Sequence, residues 1–169
     1  MTAFYLTILY SMLSLKLQKK EIFFIPSDYR GKVVVVYGKP FGDQPKIDDS
    51  TVAYFIPKDG ILISQSTNHY DINLKHSQFY LVDESGRKSK LEFIEKDSLF
   101  LSKDSSVYRT KVGIIPFGTI GSCNFNEANV FCYSDFYIGS YSEMSKYYTP
   151  EMANDFQKRL MEKAKWLQK

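Results

Sequence analysis

Phe24-Ile25-Pro26-Ser27-Asp28-Tyr29-Arg30-Gly31 runs into Lys32-Val33-Val34-Val35-Val36-Tyr37. Farther on, Tyr54-Phe55-Ile56-Pro57-Lys58-Asp59-Gly60 runs into Ile61-Leu62-Ile63. The second stretch repeats the first: a strand, a Pro-Asp-Gly turn, then another strand. Proline presets φ, Asp bonds its own backbone, and Gly accepts φ > 0. Pro26, Asp28 and Gly31, with Pro57, Asp59 and Gly60, are therefore the expected structural turn residues. The two turns read as hairpins of an antiparallel β domain.

The rest of the chain agrees with that start. At 169 residues one domain is the default. Aromatic residues make up 16% of the chain, with 13 Tyr and 13 Phe, and both types favour strands. Glu21 to Ile25, Lys32 to Tyr37, Thr51 to Ile56, Gly60 to Gln65, Gln78 to Val82 and Lys88 to Ile94 read as strands. Leu99 to Leu101, Val107 to Ile115, Thr119 to Phe125 and Val130 to Ile138 add more, the last two around an Asn126–Asn129 turn. The unbroken Val33–Val36 run suits a strand buried on both faces. Ser140 and Glu143 have capping-box spacing, and Thr149-Pro150 supplies a cap and an N1 proline. Met152, Phe156, Leu160, Ala164 and Leu167 then recur at helical spacing, and Met152, Phe156 and Leu160 are expected to dock on the sheet. The fold class expected is mainly β, an antiparallel β-sandwich-like domain with two C-terminal helices. Residues 1–20 form an apolar leader or anchor, 21–139 the β domain, and 140–169 helices packed on that same domain.

The leader bears on compartment. Met1 to Leu15 holds no charge, and Lys16, Lys19 and Lys20 follow. That length suits the apolar part of a signal peptide and falls short of the roughly 20 residues of a spanning helix. No Lys or Arg precedes it and no Ala-x-Ala site ends it. Export, or membrane association through residues 1–20, is one reading; a buried N-terminal element in a cytoplasmic protein is the other.

Phe-Ile-Pro-x-x-Tyr-x-Gly-x-Val, then Tyr-x-Ile-Pro-x-Asp-Gly-Ile-Leu, then Tyr-x-Val-Asp-x-x-Gly-Arg (Tyr80 to Arg87) occur in that order. Val112-Gly113-Ile114, Gly118-Thr119 and Asp135-Phe136-Tyr137-Ile138-Gly139 follow. The ordered set resembles a family of small, uncharacterised, exported bacterial proteins, many of them lipoprotein-like. The likeness covers about Glu21 to Tyr148. It implies a compartment and a fold and carries no activity. A lipidated relative has a Cys at the end of its leader, whereas the first Cys here is Cys123.

Chemistry finds few candidates. The net charge of +3 and the lack of a long basic run give no footprint for nucleic acid. His69 and His76 flank Asp71 in a polar loop, too few ligands for a metal site. No Gly-x-Ser-x-Gly occurs, and Gly118-Thr119-Ile120-Gly121 lacks the ending of a phosphate loop. Asp48-Asp49, Asp83-Glu84 and the matched Asp28 and Asp59 are explained by turns. Cys123 and Cys132 are the disulfide candidates, opposite each other if Asn126–Asn129 is the turn; two separate buried thiols are the alternative. Tyr29, Tyr37, Tyr54, Tyr70, Tyr80, Tyr133, Tyr137 and Tyr141 offer an aromatic surface for sugar or protein, or else core and sheet-edge packing. No cofactor, metal or catalytic residue is expected. The expected function is a non-catalytic binding or structural module, exported or envelope-associated, with a protein or glycan ligand. An immunity-type antagonist that occludes a secreted toxin is the alternative. A hydrolase with an unfamiliar carboxylate site is the remote one.

Overall fold

The computed structural model describes residues 20–48, 50–66, 74–94, 109–116, 122–124, 131–147 and 149–164. The expectations for the leader, Asp49, His69, Tyr70, Asp71, Leu99–Leu101, Gly118–Gly121, the Asn126–Asn129 turn and Leu167 lie outside these residues. The described strands are β1 (Lys20–Pro26), β2 (Gly31–Tyr37), β3 (Lys46–Ile47), β4 (Thr51–Phe55), β5 (Ile61–Ile63), β6 (Gln78–Val82), β7 (Lys88–Leu91), β8 (Gly113–Pro116), β9 (Ser122–Asn124) and β10 (Phe131–Gly139). Two helices follow, α1 (Tyr141–Tyr147) and α2 (Pro150–Lys163). Where a strand was expected from Val107, Arg109 and Thr110 are helical and the strand starts at Gly113.

The fold is mainly β: two packed sheets and C-terminal helices. Sheet A has the order β3-β4-β1-β6-β7 and sheet B the order β5-β2-β10-β8, with β9 also on β10. Both sheets are mixed: most pairs are antiparallel, as expected of the sandwich, and the parallel ones were not foreseen. The pairs β1–β4, β1–β6 and β2–β5 are parallel. The hairpin reading of the two Pro-Asp-Gly turns is corrected. β1 lies in sheet A and β2 in sheet B, and β4 and β5 divide the same way. Each turn is therefore an arch from one sheet to the other. Two like arches stack in register, and that stacking makes their strands parallel without a crossover helix.

The turn chemistry serves an arch as well as a hairpin. The Tyr29 N–H donates to the Pro26 carbonyl at 3.0 Å, and Gly60 N–H donates to Pro57 at 2.9 Å. Gly60 has φ of +75°, a conformation that side chains resist. The Tyr29 hydroxyl, which donates to the Lys32 carbonyl, lies 1.9 Å from where a Cβ on Gly60 would sit. The longer first arch thus closes over the glycine of the second.

Between the sheets, alternate residues of both meet in one core. Phe23, Ile25, Tyr54 and Phe79 come from sheet A; Val33, Val35, Phe136 and Ile138 come from sheet B. The other face of β2 is buried too. Val34 and Val36, with Ile61 and Ile63, pack under Phe156, Leu160 and Ala164 of α2 and its C-cap. All four valines are at most 1% exposed, because β2 is the middle of three layers. Thr149 caps α2 by accepting from Met152 N–H, and at the start of α1 the Glu143 carboxylate reaches back to accept from the Ser140 N–H and hydroxyl. Met152 departs from expectation: it is 44% exposed, while Phe156 and Leu160 dock. The outer face of sheet B is covered by α2 over β2 and β5 and by α1 over β8 and β10, whereas among the described residues no helix covers the outward face of sheet A.

Candidate functional site: an aromatic groove on sheet A

Parallel, in-register pairing sets equivalent positions side by side. Phe23 pairs with Tyr54 and Phe79, and Phe24 pairs with Phe55 and Tyr80. Three aromatic doublets thus line up across β4, β1 and β6. Successive side chains of a strand point to opposite faces, so each doublet sends one ring in and one out. The inner rings stack, with centroids 5.0 Å apart for Phe23–Tyr54 and 4.9 Å for Phe23–Phe79. The outer rings form a second row, Phe24–Phe55 at 5.1 Å and Phe24–Tyr80 at 5.9 Å, each tilted by about 30°. The inner row is core. The outer row is surface, and Phe55 is 51% exposed.

The row runs into an open groove of about 630 Å³ with Phe24 and Phe55 in its lining. Its walls are the first arch, with Ser27 and Asp28, the second arch, with Lys58, and the β6–β7 turn, with Asp83, Glu84 and Ser85. Two ammonium groups lie against the rings. Lys88 Nζ is 4.3 Å from the Phe24 centroid and Lys46 Nζ 5.1 Å from that of Phe55, close enough for cation–π attraction. Asp83 is held by its own turn: it accepts from the Ser85 hydroxyl at 2.6 Å and from Arg87 N–H and Nε. The Ser85 bond first, then the Arg87 contacts, keep its carboxyl below the usual range.

The two matched aspartates separate here. Asp28 is exposed and lines the groove. Asp59 is used by the fold: it accepts from Ile61 N–H at 3.1 Å and from Lys163 Nζ of α2 at 2.8 Å. Lys163 also reaches the Ile61 carbonyl. A second hollow of about 450 Å³ lies between the first arch and α2. It is a seam between packed elements: Arg159, in its lining, bonds Asp155 and the Asp59 carbonyl.

The remaining candidates are scattered. Of the aromatic set read from sequence, Tyr70 lies outside the described residues, Tyr37, Tyr54 and Tyr137 are buried, and among the described members Tyr80 joins the outer row. Phe24 and Phe55 were not singled out in the sequence; their signal is the doublet spacing ahead of each Ile-Pro. Pro26 ends β1 and lines the groove, Gly31 begins β2, and Pro57 is half-buried. His76 is exposed on a short 3-10 turn, Leu74–His76. Among the described residues, no three His, Cys, Asp or Glu gather as metal ligands. Cys132 is 4% exposed, faces Cys123 in the β9–β10 register, and is disulfide-bonded.

Glu21 was not singled out either. It sits on the inward face of β1, 8% exposed. Tyr54 Oη lies 3.2 Å and Ser77 Oγ 3.4 Å from its carboxyl oxygens. Burial pushes its pKa from 4.5 to about 7, against the opposing pull of those two hydroxyls. An acidic residue beside an aromatic pair at the head of a strand is its only mark in the sequence.

No curated protein matches the chain. A crystal structure described as a "Putative Lipoprotein from Bacillus anthracis" superposes with a TM-score of 0.53 at 16% identity, covering 85% of this chain and 95% of that chain. At that identity the likeness is one of fold. A model described as a family of unknown function (DUF6843) matches residues 17–148, which hold both arches, the groove and α1 and stop short of α2. That span includes the ordered motifs from Phe24 to Gly139, and the chain belongs to this family, DUF6843.

Proposed function

We propose that the chain is an exported, envelope-associated module that binds without catalysis, and that its binding surface is the outward face of sheet A. One observation carries this reading: among the described residues no element covers the Phe55–Phe24–Tyr80 row on sheet A, and Phe55 is 51% exposed, while the equivalent face of sheet B is closed by α1 and α2. Half-exposed aromatics beside a few polar groups are typical of ligand sites. Export is supported by the likeness of fold to a protein described as a lipoprotein and by the bonded Cys132, since disulfides persist mainly in oxidising compartments. The absence of catalysis is supported by where the carboxyls lie. A glycosidase flanks one bond with a raised acid and a second carboxylate. Among the described residues the carboxyl with a raised pKa, Glu21, is on the inward face of β1, and Asp83 in the groove is held below the usual range.

Co-sedimentation with envelopes from the native host tests the reading. Wild-type protein is expected in the pellet, and Phe55→Ala largely in the supernatant. Equal partition of the two proteins contradicts it.

A further inference from the structure

Resting on the groove as the binding surface, we infer that its occupant is a glycan chain of little net charge, laid across the Phe55–Phe24–Tyr80 row. The floor, the walls and the position of the groove each narrow the choice. Neighbouring outer rings are already in contact, with centroids 5.1 and 5.9 Å apart. Nothing planar fits between them, so the ligand lies over the row. The C–H faces of linked sugar rings suit such a strip, since they are apolar and carry their hydroxyls at the rim.

The walls answer those hydroxyls with both kinds of partner. Asp28 and Glu84 accept, Lys58 and Lys88 donate, and Ser27 does either. Lys46, over the Phe55 ring, adds a donor at the far end of the row. Charges of both signs are poor complements to a polyanion. With Asp28, Asp83 and Glu84 beside Lys46, Lys58 and Lys88, the groove lacks the net positive charge that a nucleic acid or an anionic bilayer needs. Phe24, at the centre of the row, is half-buried in the groove, which a flat membrane does not reach. A peptide adding a strand needs a sheet edge. The row instead lies on the face of the sheet, across β4, β1 and β6.

Nitrogen-15-labelled full chain, titrated at low and high salt, decides the matter. The probes are cellohexaose, chitohexaose and laminarihexaose, then polygalacturonate, a proline-rich peptide and a single-stranded oligonucleotide. At least one neutral hexasaccharide is expected to shift the amides of Phe24, Phe55, Tyr80 and Val82 with little dependence on salt. Phe55→Ala is expected to weaken that binding about tenfold, the loss of one stacking ring, and Phe55→Trp to preserve it. Shifts of the same amides by polygalacturonate, peptide or oligonucleotide alone overturn the glycan assignment and leave the binding face standing. Failure of every probe to move these amides overturns both.

Discussion

Replacing Glu21 by Gln turns a buried carboxyl into a reporter of the fold. The folded protein holds this carboxyl protonated up to about pH 7, because burial penalises its charge. The unfolded chain releases the proton near 4.5. Between those two values the native state binds more protons than the unfolded state, so stability falls as pH rises, and it levels off above 7. At about 1.4 kcal/mol per pH unit, that window holds roughly 3 kcal/mol. In Glu21→Gln the amide oxygen keeps accepting from Tyr54 and the amide nitrogen donates to Ser77, without titrating. Urea unfolding of both proteins from about pH 4.5 to 8, at constant ionic strength, is the assay. The wild type is expected to lose about 2–4 kcal/mol more than the variant across the window, with the variant the more stable protein at the alkaline end. Two parallel curves would refute a buried, neutral Glu21, and with it the inward facing of the first doublet's strand.

Four further outcomes follow from the same geometry. Gly60→Val places a branched side chain at positive φ and into the Tyr29 hydroxyl and Lys32 carbonyl; it is expected to cost roughly 2–4 kcal/mol in chemical denaturation. Removing residues 149–169 uncovers Val34, Val36, Ile61 and Ile63, and the truncated chain is expected to bind a hydrophobic dye and lose roughly 3–5 kcal/mol. Lys163→Ala breaks a half-exposed ion pair with Asp59 and is expected to shift stability by less than about 1 kcal/mol, less still at high salt. A Cys123–Cys132 bridge closes a loop of about ten residues, so reduction is expected to cost roughly 2.5–3 kcal/mol in the unfolding midpoint; two titratable thiols in denatured protein from the host would contradict it.

The parts legible in sequence are those that local chemistry decides. Val33–Val36 carries no polar break and is buried on both faces. Ser140 with Glu143, and Thr149 with Pro150, cap their helices as their spacing predicts. Strand partners were not legible, because Pro-Asp-Gly bends the chain equally well into a hairpin or an arch. The clue was the repeat itself: like segments stack in parallel when each one changes sheet, which sets Phe24 beside Phe55. The tyrosine count pointed away from the site. Tyr37 and Tyr54 reach polar partners inside the sandwich and stay there, and phenylalanines make up most of the exposed row. Met152 belongs to the right helical stripe, but the first turn of α2 meets the hollow beside the first arch, not the sheet.

The claim that the protein docks through sheet A is tested most directly by hydroxyl-radical footprinting of the full chain, free and bound to host envelopes. Phe55 and Met152 serve as opposed reporters, since both are about half exposed and they sit on sheet A and on α2. Phe24, Phe55 and Tyr80 are predicted to lose labelling on binding while Met152 keeps it. Protection of Met152 with unchanged labelling of Phe55 would contradict the account.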